Sequence, residues 1–377
     1  MTYLDNSATT KVCSAAIERM TAAMAEQYGN PSSLHSFGIA AQRAVTQARG
    51  EVAALIGAKA EQIIFTSGGT EANNTAIFGA ARIKERRPHV AVTTAIEHPS
   101  VAACFDELER RGWTVTRVKP LPDGRITPEM IEAACSADTS IVSVMAVNNE
   151  TGARMDVPAI VARVRRAAPQ ALIHTDAVQA VGKIGVRAER WGVDLLSLSG
   201  HKLHGPKGVG ALYVRKGVRM VPHLHGGGQE NGLRSGTEPV PAIVGLGAAA
   251  AAVPSVAEQE RHYETLKVCL QNELAGLDNV RWHLPEGGVP YIVNFSLIGY
   301  RSETVLNFLA QRGIFVSSGS ACAKGQHSTV LSAMGLPEAE IDSALRISLC
   351  RDNTEDDIKA LSAALHEAVN ALQRRQV

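Results

Sequence analysis

The chain has 377 residues, 45% of them hydrophobic, with 38 lysines and arginines against 37 aspartates and glutamates and a formal net charge of +1. That length suits two domains, and the balanced charge argues against nucleic acid or an anionic membrane surface as a direct partner. No apolar run reaches the length of a membrane span, and the start, "MTYLDNSATTKVC", lacks the basic and apolar regions of a secretion signal.

The first β-rich run is "IIFT" (63–66), followed by "SGGTEANN" (67–74) and a helical pattern. A glycine pair that opens a helix leaves its first N–H groups unpaired, which makes a phosphate site from Gly69 and its neighbours, and Thr70 adds a hydroxyl. The spacing is not G-x-G-x-x-G and no acid follows at the ribose position, so a dinucleotide is disfavoured. Next comes "VAVTTA" (90–95), with His98 before Pro99 at its end. An imidazole at a ligand mouth can stack on a planar ring, although a lone histidine is more often structural. "TVTRV" (114–118) and "IVSVMAV" (141–147) read as further strands, the second followed by Asn148 and Asn149, which also suit a plain turn. "LIHTDAVQAVG" carries Asp176 as its apolar run ends, with Gln179 three residues on. A buried acid there is costly unless paired, and a protonated ring nitrogen would satisfy it. "VDLLSLS" (193–199) leads into "GHK", which brings Ser199, His201 and Lys202 together. "GALYVR" (210–215) follows too soon for a helical crossover, so it is expected to run antiparallel at a sheet edge.

Helical patterns fall between most of these runs, as in βαβ units around a mostly parallel sheet. The predicted large domain spans 14–253. The alanine run that closes it reads as a packed helix. Beyond it come a long helical pattern from 256, then "YIVNFSL", "SETVLNFLAQRG", "IFVSSG", "ALRISLC" and a helix capped by Thr354 with acids in its first turn. Residues 1–13 and 254–377 are assigned to a smaller α/β domain.

Ligands of a parallel sheet bind beyond the carboxyl ends of its strands. Each strand-end feature has a bland reading alone. Together, a phosphate cradle, a stacking imidazole, a carboxylate, an amide and a lysine describe a site for pyridoxal 5′-phosphate. In that reading Lys202 bonds the cofactor and moves protons at the substrate Cα, while Asp176 keeps the pyridine nitrogen protonated.

The six cysteines (Cys13, Cys104, Cys135, Cys269, Cys322 and Cys350) form no C-x-x-C pair and no zinc spacing. A reduced, cytoplasmic setting without disulfides or an intrinsic metal is expected. Cys104, Cys135 and Cys269 lie in helical patterns and read as small buried hydrophobes. Cys322 lies in "SSGSACAKGQHS", small and polar on both sides, which suits an exposed loop.

The ordered series "YLDNSATT", "YGNPSSLHSFG", "FTSGGTEANN", "AIEHPS", "VNNETG", "HTDAVQ", "SLSGHKLHGPKGVG", "RSGTEP" and "SSGSAC" resembles the cysteine desulfurases, fold-type-I pyridoxal-phosphate enzymes of aminotransferase class V. The version serving iron–sulfur cluster assembly is the most similar. The resemblance implies that Lys202 carries the cofactor, His98 stacks on its ring, Asp176 pairs with the pyridine nitrogen and Gln179 with the ring oxygen. It places Asn149 beside cofactor and substrate. Gly69, Thr70, Ser199 and His201 bind phosphate, and Thr237 reaches the phosphate of a neighbouring subunit in a homodimer. Arg346 holds the substrate carboxylate, a role that a planar guanidinium suits. Cys322 takes the sulfur of L-cysteine as a persulfide, leaving alanine, and hands it to an acceptor such as a cluster scaffold, where it would meet a cluster only transiently. The segment after Cys322 is about two residues shorter than in well-known cluster-assembly members. A plain class V aminotransferase needs no such thiol, selenocysteine lyase stays open as an alternative, and a non-catalytic scaffold would be expected to lack Lys202, Asp176 or Cys322.

Overall fold

Alternation within short strands sets the layout. In the computed structural model, which describes residues 1–84, 88–318 and 327–374, the strands are β1 (Thr2–Tyr3), β2 (Ile63–Thr66), β3 (Val90–Thr94), β4 (Thr114–Val118), β5 (Thr139–Ser143), β6 (Leu172–Asp176), β7 (Leu195–Ser199), β8 (Gly210–Val214), β9 (Val280–Trp282), β10 (Ile292–Leu297), β11 (Ile314–Phe315) and β12 (Ala344–Ser348). Seven of them form one sheet in the order β2-β8-β7-β6-β5-β3-β4. Successive side chains of a strand face opposite ways. Ile64, Ala91, Ile141, Leu195 and Leu212 therefore enter one apolar cluster. Ile63, Val92, Val142, Leu196 and Ala211 enter the other. Helices cover both faces, which is why these strands are apolar on both sides.

β3, β4, β5, β6 and β7 pair in parallel. β8 runs antiparallel, as its short connection requires. It is not an edge strand, however: β2 adds outside it, antiparallel to it, and takes the edge. The consequence is local and chemical. Gly210 sits opposite Thr66 on one side and Ser199 on the other. The strand end before the glycine pair and the strand end before Lys202 are thereby held side by side. β5 ends at Ser143 rather than at Val147. Val144 and Ala146 still donate to the carbonyls of His174 and Asp176, but Val147 turns away to pair with Arg154.

Helix Gly69–Ile83 presents Ala72, Ala76, Ile77 and Ala80 to the sheet, and three alanines there allow the close approach. Helix Val240–Ala251 holds the alanine run, and its Ala248, Ala249 and Ala250 are buried. The final helix, Glu355–Ala371, starts at Thr354, whose hydroxyl accepts from the Asp357 N–H. Of the helical cysteines, Cys104 is buried, while Cys135 and Cys269 are only half-buried at helix flanks. Periodicity locates a helix but does not settle how deep each position lies.

Beyond residue 280, β12, β10 and β9 form an antiparallel sheet, and β1 pairs in parallel with β11. Residues 5–10 then run from that side to the Lys202 turn. Asn6 Nδ2 donates to the Ser348 carbonyl (2.9 Å), and Thr10 Oγ1 donates to the His201 carbonyl (2.9 Å). Among the described residues no single helix is long and apolar enough to cross a membrane.

A Cβ on Gly210 would lie 2.6 Å from the Leu198 carbonyl oxygen and 2.8 Å from the backbone of Gly68. Backbone cannot step aside cheaply. Gly210→Ala is expected to destabilise the fold by about 2 kcal/mol, within the usual range for overpacking. Denaturant unfolding measures it, and an unchanged midpoint would contradict the crowding.

Candidate active site

The carboxyl ends of β2, β3, β5, β6 and β7 open on one cavity of about 460 Å³. Ten residues singled out in the sequence line it: Gly69, Thr70, His98, Asn149, Asp176, Gln179, Ser199, His201, Lys202 and Arg346. Thr237 is exposed and does not line it. Cys322 lies outside the described residues.

At the phosphate end, Gly68 has φ of 152° and caps helix Gly69–Ile83. The helix presents the unpaired N–H groups of its first turn to the cavity, with Thr70 and Ser199 beside them. Glu71, in that first turn, accepts from the Ser67 N–H (2.9 Å) and pairs with Arg234 (2.9 Å). Its charge therefore points away from an incoming phosphate. His201 closes this end. Burial, and then the charge of Lys202, push its imidazole down to about 4, so the ring is neutral at physiological pH.

His98 is the N-cap of helix Pro99–Arg110. Its Nδ1 lies 2.8 Å from Ser100 Oγ and accepts from the Ser100 N–H. Both contacts fix the ring plane. Burial lowers the imidazole pKa, against the pull of Asp176, which favours a neutral face for stacking.

Asp176 is 5% exposed. Its carboxylate accepts from Asn73 Nδ2 (2.8 Å) and the Val178 N–H (2.9 Å). Among the described residues no lysine, arginine or histidine pairs with it. A buried carboxylate with two neutral donors and no cation, facing a cavity, suits a protonated ring nitrogen. Across the cavity Lys202 Nζ donates to the carbonyls of Ser7 and Ala8 (2.7 Å to the second). Gln179 Nε2 donates to the same Ser7 carbonyl (2.9 Å).

Arg346, on β12, is 2% exposed. Its Nη2 pairs with Asp5 Oδ1 (2.7 Å) and its Nη1 donates to the Asn149 carbonyl (2.9 Å). Its Nε is buried and has no hydrogen-bond partner. Each Nη carries a second hydrogen, so a guanidinium held this way and lining the cavity retains donors for an anion. Asn148 is a turn former: its Oδ1 accepts from the N–H groups of Glu150 and Thr151.

Reading the sequence alone missed Asp5, Ser7, Asn73, Glu97 and Glu150. Glu97 shows why. It is 6% exposed beside the cavity. Its Oε1 accepts from Thr94 Oγ1 (2.8 Å) and the Met145 N–H (2.9 Å), while Oε2 is buried without a partner. Burial chiefly, with Asp176 adding, pushes the carboxyl up to about 8. Next to "HP", a glutamate reads only as a polar residue before a helix cap. Glu150 is likewise raised by burial, and Ser328 Oγ donates to it at 2.5 Å.

The family model for class-V aminotransferases matches residues 2–361. The chain belongs to that family. A cysteine desulfurase of Trichormus azollae is 41% identical over 98% of this chain and 93% of its own length. The solved structure of a NifS-like protein is 38% identical, with a TM-score of 0.93 over 99% of this chain and all of that one. A second solved structure, SspA in complex with cysteine, is 34% identical, with a TM-score of 0.82 over 93% of this chain and 99% of that one. The class-V fold is thus shown, and with it an enzyme of the cysteine desulfurase group that uses pyridoxal 5′-phosphate. The cavity fits that cofactor by its helix N-terminus, its cation-free carboxylate and its lysine.

Glu97 gives a pH-dependent signature. Its folded pKa is raised, so its contribution is full below the unfolded carboxyl value and is lost as pH rises toward about 8. Glu97→Gln mimics the neutral form. Relative to the parent, the variant is expected to gain of the order of 2 kcal/mol of stability between about pH 5 and about pH 8. Paired unfolding curves at the two values measure it, and a constant difference would show that Glu97 is ionised throughout.

Proposed function

We propose that this desulfurase takes sulfur from L-cysteine onto Cys322, with the cavity residues in the roles their positions suit. Support comes from one observation above others: a lysine, a cation-free buried carboxylate, a fixed histidine face and a guanidinium with a spare donor share one cavity. Gly69, Thr70, Ser199 and His201 hold the phosphate, His98 covers the ring, and Asp176 and Gln179 take the ring nitrogen and ring oxygen. Arg346 and Asn149 orient the substrate carboxylate. When bound, the cofactor supplies an electron sink for the substrate Cα and Cβ.

Lys202 removes and returns the proton at the substrate Cα. The thiolate of Cys322 attacks the substrate sulfur. An S–S bond forms as the Cβ–S bond breaks, and the electron pair stays on carbon, which is protonated to give alanine. The products are alanine and a persulfide at position 322, so atoms and charge balance. The cation-rich floor of the cavity, with Lys202 and Arg346, favours the anionic form of the substrate.

We assign the sulfur to an acceptor protein or thiolation partner in a reducing cytoplasm, where a thiolate of the acceptor can take the outer sulfur from the persulfide by attack on its S–S bond. The exposed "RSGTEP" segment suits a homodimer in which Thr237 completes the partner subunit's phosphate site. Thr237→Ala is expected to speed cofactor loss several-fold without unfolding. Sedimentation with absorbance detection reads both mass and bound cofactor, and a monomer that keeps its cofactor would contradict the sharing.

Cys322→Ser replaces a strong nucleophile with a hydroxyl hardly ionised at neutral pH. The variant should keep its yellow colour and its spectral response to cysteine, yet release alanine about 100-fold more slowly or less. Mass spectrometry should find one extra sulfur on the parent peptide and none on the variant. Parent-level alanine release by Cys322→Ser would favour another class V activity. Persistence of cysteine turnover distinguishes it from a selenocysteine-only lyase.

A further inference from the structure

We propose that Lys183 is a positioning residue of this site: a buried cation without a carboxylate partner that fixes which face Gln179 turns to the cavity and weakens the proton affinity of Lys202. The inference rests on the reading that Lys202 carries the cofactor.

Lys183 follows Gln179 by four residues in the turns after β6, so the two side chains meet. It is 6% exposed. Its Nζ donates to Gln179 Oε1 at 3.3 Å and sits 5.1 Å from the Tyr291 ring centroid. Among the described residues no aspartate or glutamate lies within ion-pair distance of it. The groups facing it are Lys202 from the turn after β7, Arg346 from β12, Cys350 just beyond, and Tyr291 ahead of β10. His201 and His204 also feel its charge. None supplies a negative charge at neutral pH, because burial raises both Cys350 and Tyr291. Burial, and then the charge of Lys202, bring Lys183 down to about 7, so it carries its charge, and acts through it, below that pH.

A position used only for packing would be better filled by methionine, since burying an ammonium costs stability. The lysine has a specific effect instead. An ammonium has three donors and no acceptor. It therefore settles which end of the Gln179 amide faces it: Oε1 turns to Lys183 and Nε2 to the cavity, where it meets the Ser7 carbonyl at 2.9 Å. That carbonyl is also an acceptor for Lys202 Nζ. Lys183, Gln179, the Ser7 carbonyl and Lys202 form one chain, and a positive charge at its far end disfavours a proton at its near end.

The test uses the full-length holoenzyme and reads absorbance, not turnover. Lys183→Met keeps the volume and removes the charge. The midpoint of the pH titration of the visible cofactor band is expected to rise by about one pH unit, with thermal stability unchanged or higher. Lys183→Gln, neutral and polar, should give the same rise and serves if the methionine variant does not fold. Cofactor loss on dilution should quicken several-fold in Lys183→Met, and far less when Gln179→Leu is already present, since the effect runs through Gln179. An unmoved midpoint would overturn the proposal whether stability fell or not, because a packing role alone moves only stability. A parent enzyme whose band did not titrate, or whose cofactor mapped to another lysine, would overturn the reading of Lys202 and this inference with it.

Discussion

The ammonium of Lys202 is held by the carbonyls of Ser7 and Ala8, almost two hundred residues away in sequence. Much else depends on that strap. Asp5, two residues before it, holds Arg346. Asn6 bonds to the backbone after Arg346, at Ser348, and to Asn353. Thr10 bonds to the carbonyl of His201 and accepts from the His204 N–H. A single short segment, with a turn at residues 6–8, therefore links the lysine beside the large sheet to the arginine on the small one. A lysine side chain has many rotamers, and its ordering costs up to about 2 kcal/mol. Two carbonyl acceptors offset that cost before any ligand arrives.

The acids of the site follow a different rule from its cations. Asp176 is satisfied by neutral donors and kept for a ligand cation. Glu97, pushed up to about 8 by burial, lends hydrogen bonds more than charge, and burial raises Glu150 as well. Among the described residues of the cavity, Asp176 is the carboxylate held by neutral donors alone and left to pair with a ligand cation. In the proposed roles, Asp176 would hold the nitrogen of a planar cationic heterocycle and Lys202 would bond its reactive carbon.

Local chemistry was legible in the sequence wherever a strand end and its following turn are contiguous. The glycine pair at 68–69, His98 before Pro99, Asp176 with Gln179, and Lys202 in its glycine frame are of this kind. Strand order was not, because it depends on which strand adds outside β8, and nothing in "GALYVR" shows β2 beside it. Asp5 was missed for the same reason: its partner Arg346 lies 341 residues on. Glu97 was missed because burial, not identity, sets its protonation. Cys135 and Cys269 were read as deeper than they are, since a helical pattern gives phase without depth. Thr237 lies on the surface away from the cavity, and its proposed role needs a second chain.

Ser317 and Ser328 are both tied to residues at or beside the Arg346 end of the cavity. Ser317 exchanges backbone hydrogen bonds with Arg346 (3.2 and 2.6 Å). Ser328 donates to Glu150 and accepts from the Leu331 N–H, so one hydroxyl both caps helix Thr329–Ala333 and grips the buried acid. Glu150 follows Asn149, whose carbonyl is held by Arg346. The contacts of Ser317 and Ser328 therefore fall on the groups proposed to hold the substrate carboxylate, or next to them. A change of the Arg346 side chain would release Asp5 and the Asn149 carbonyl but leave the backbone pairing with Ser317 in place. A change at Glu150 would act chiefly on Ser328. The Ser328–Glu150 contact is thus two bonds from the Arg346 guanidinium, through the Asn149 carbonyl.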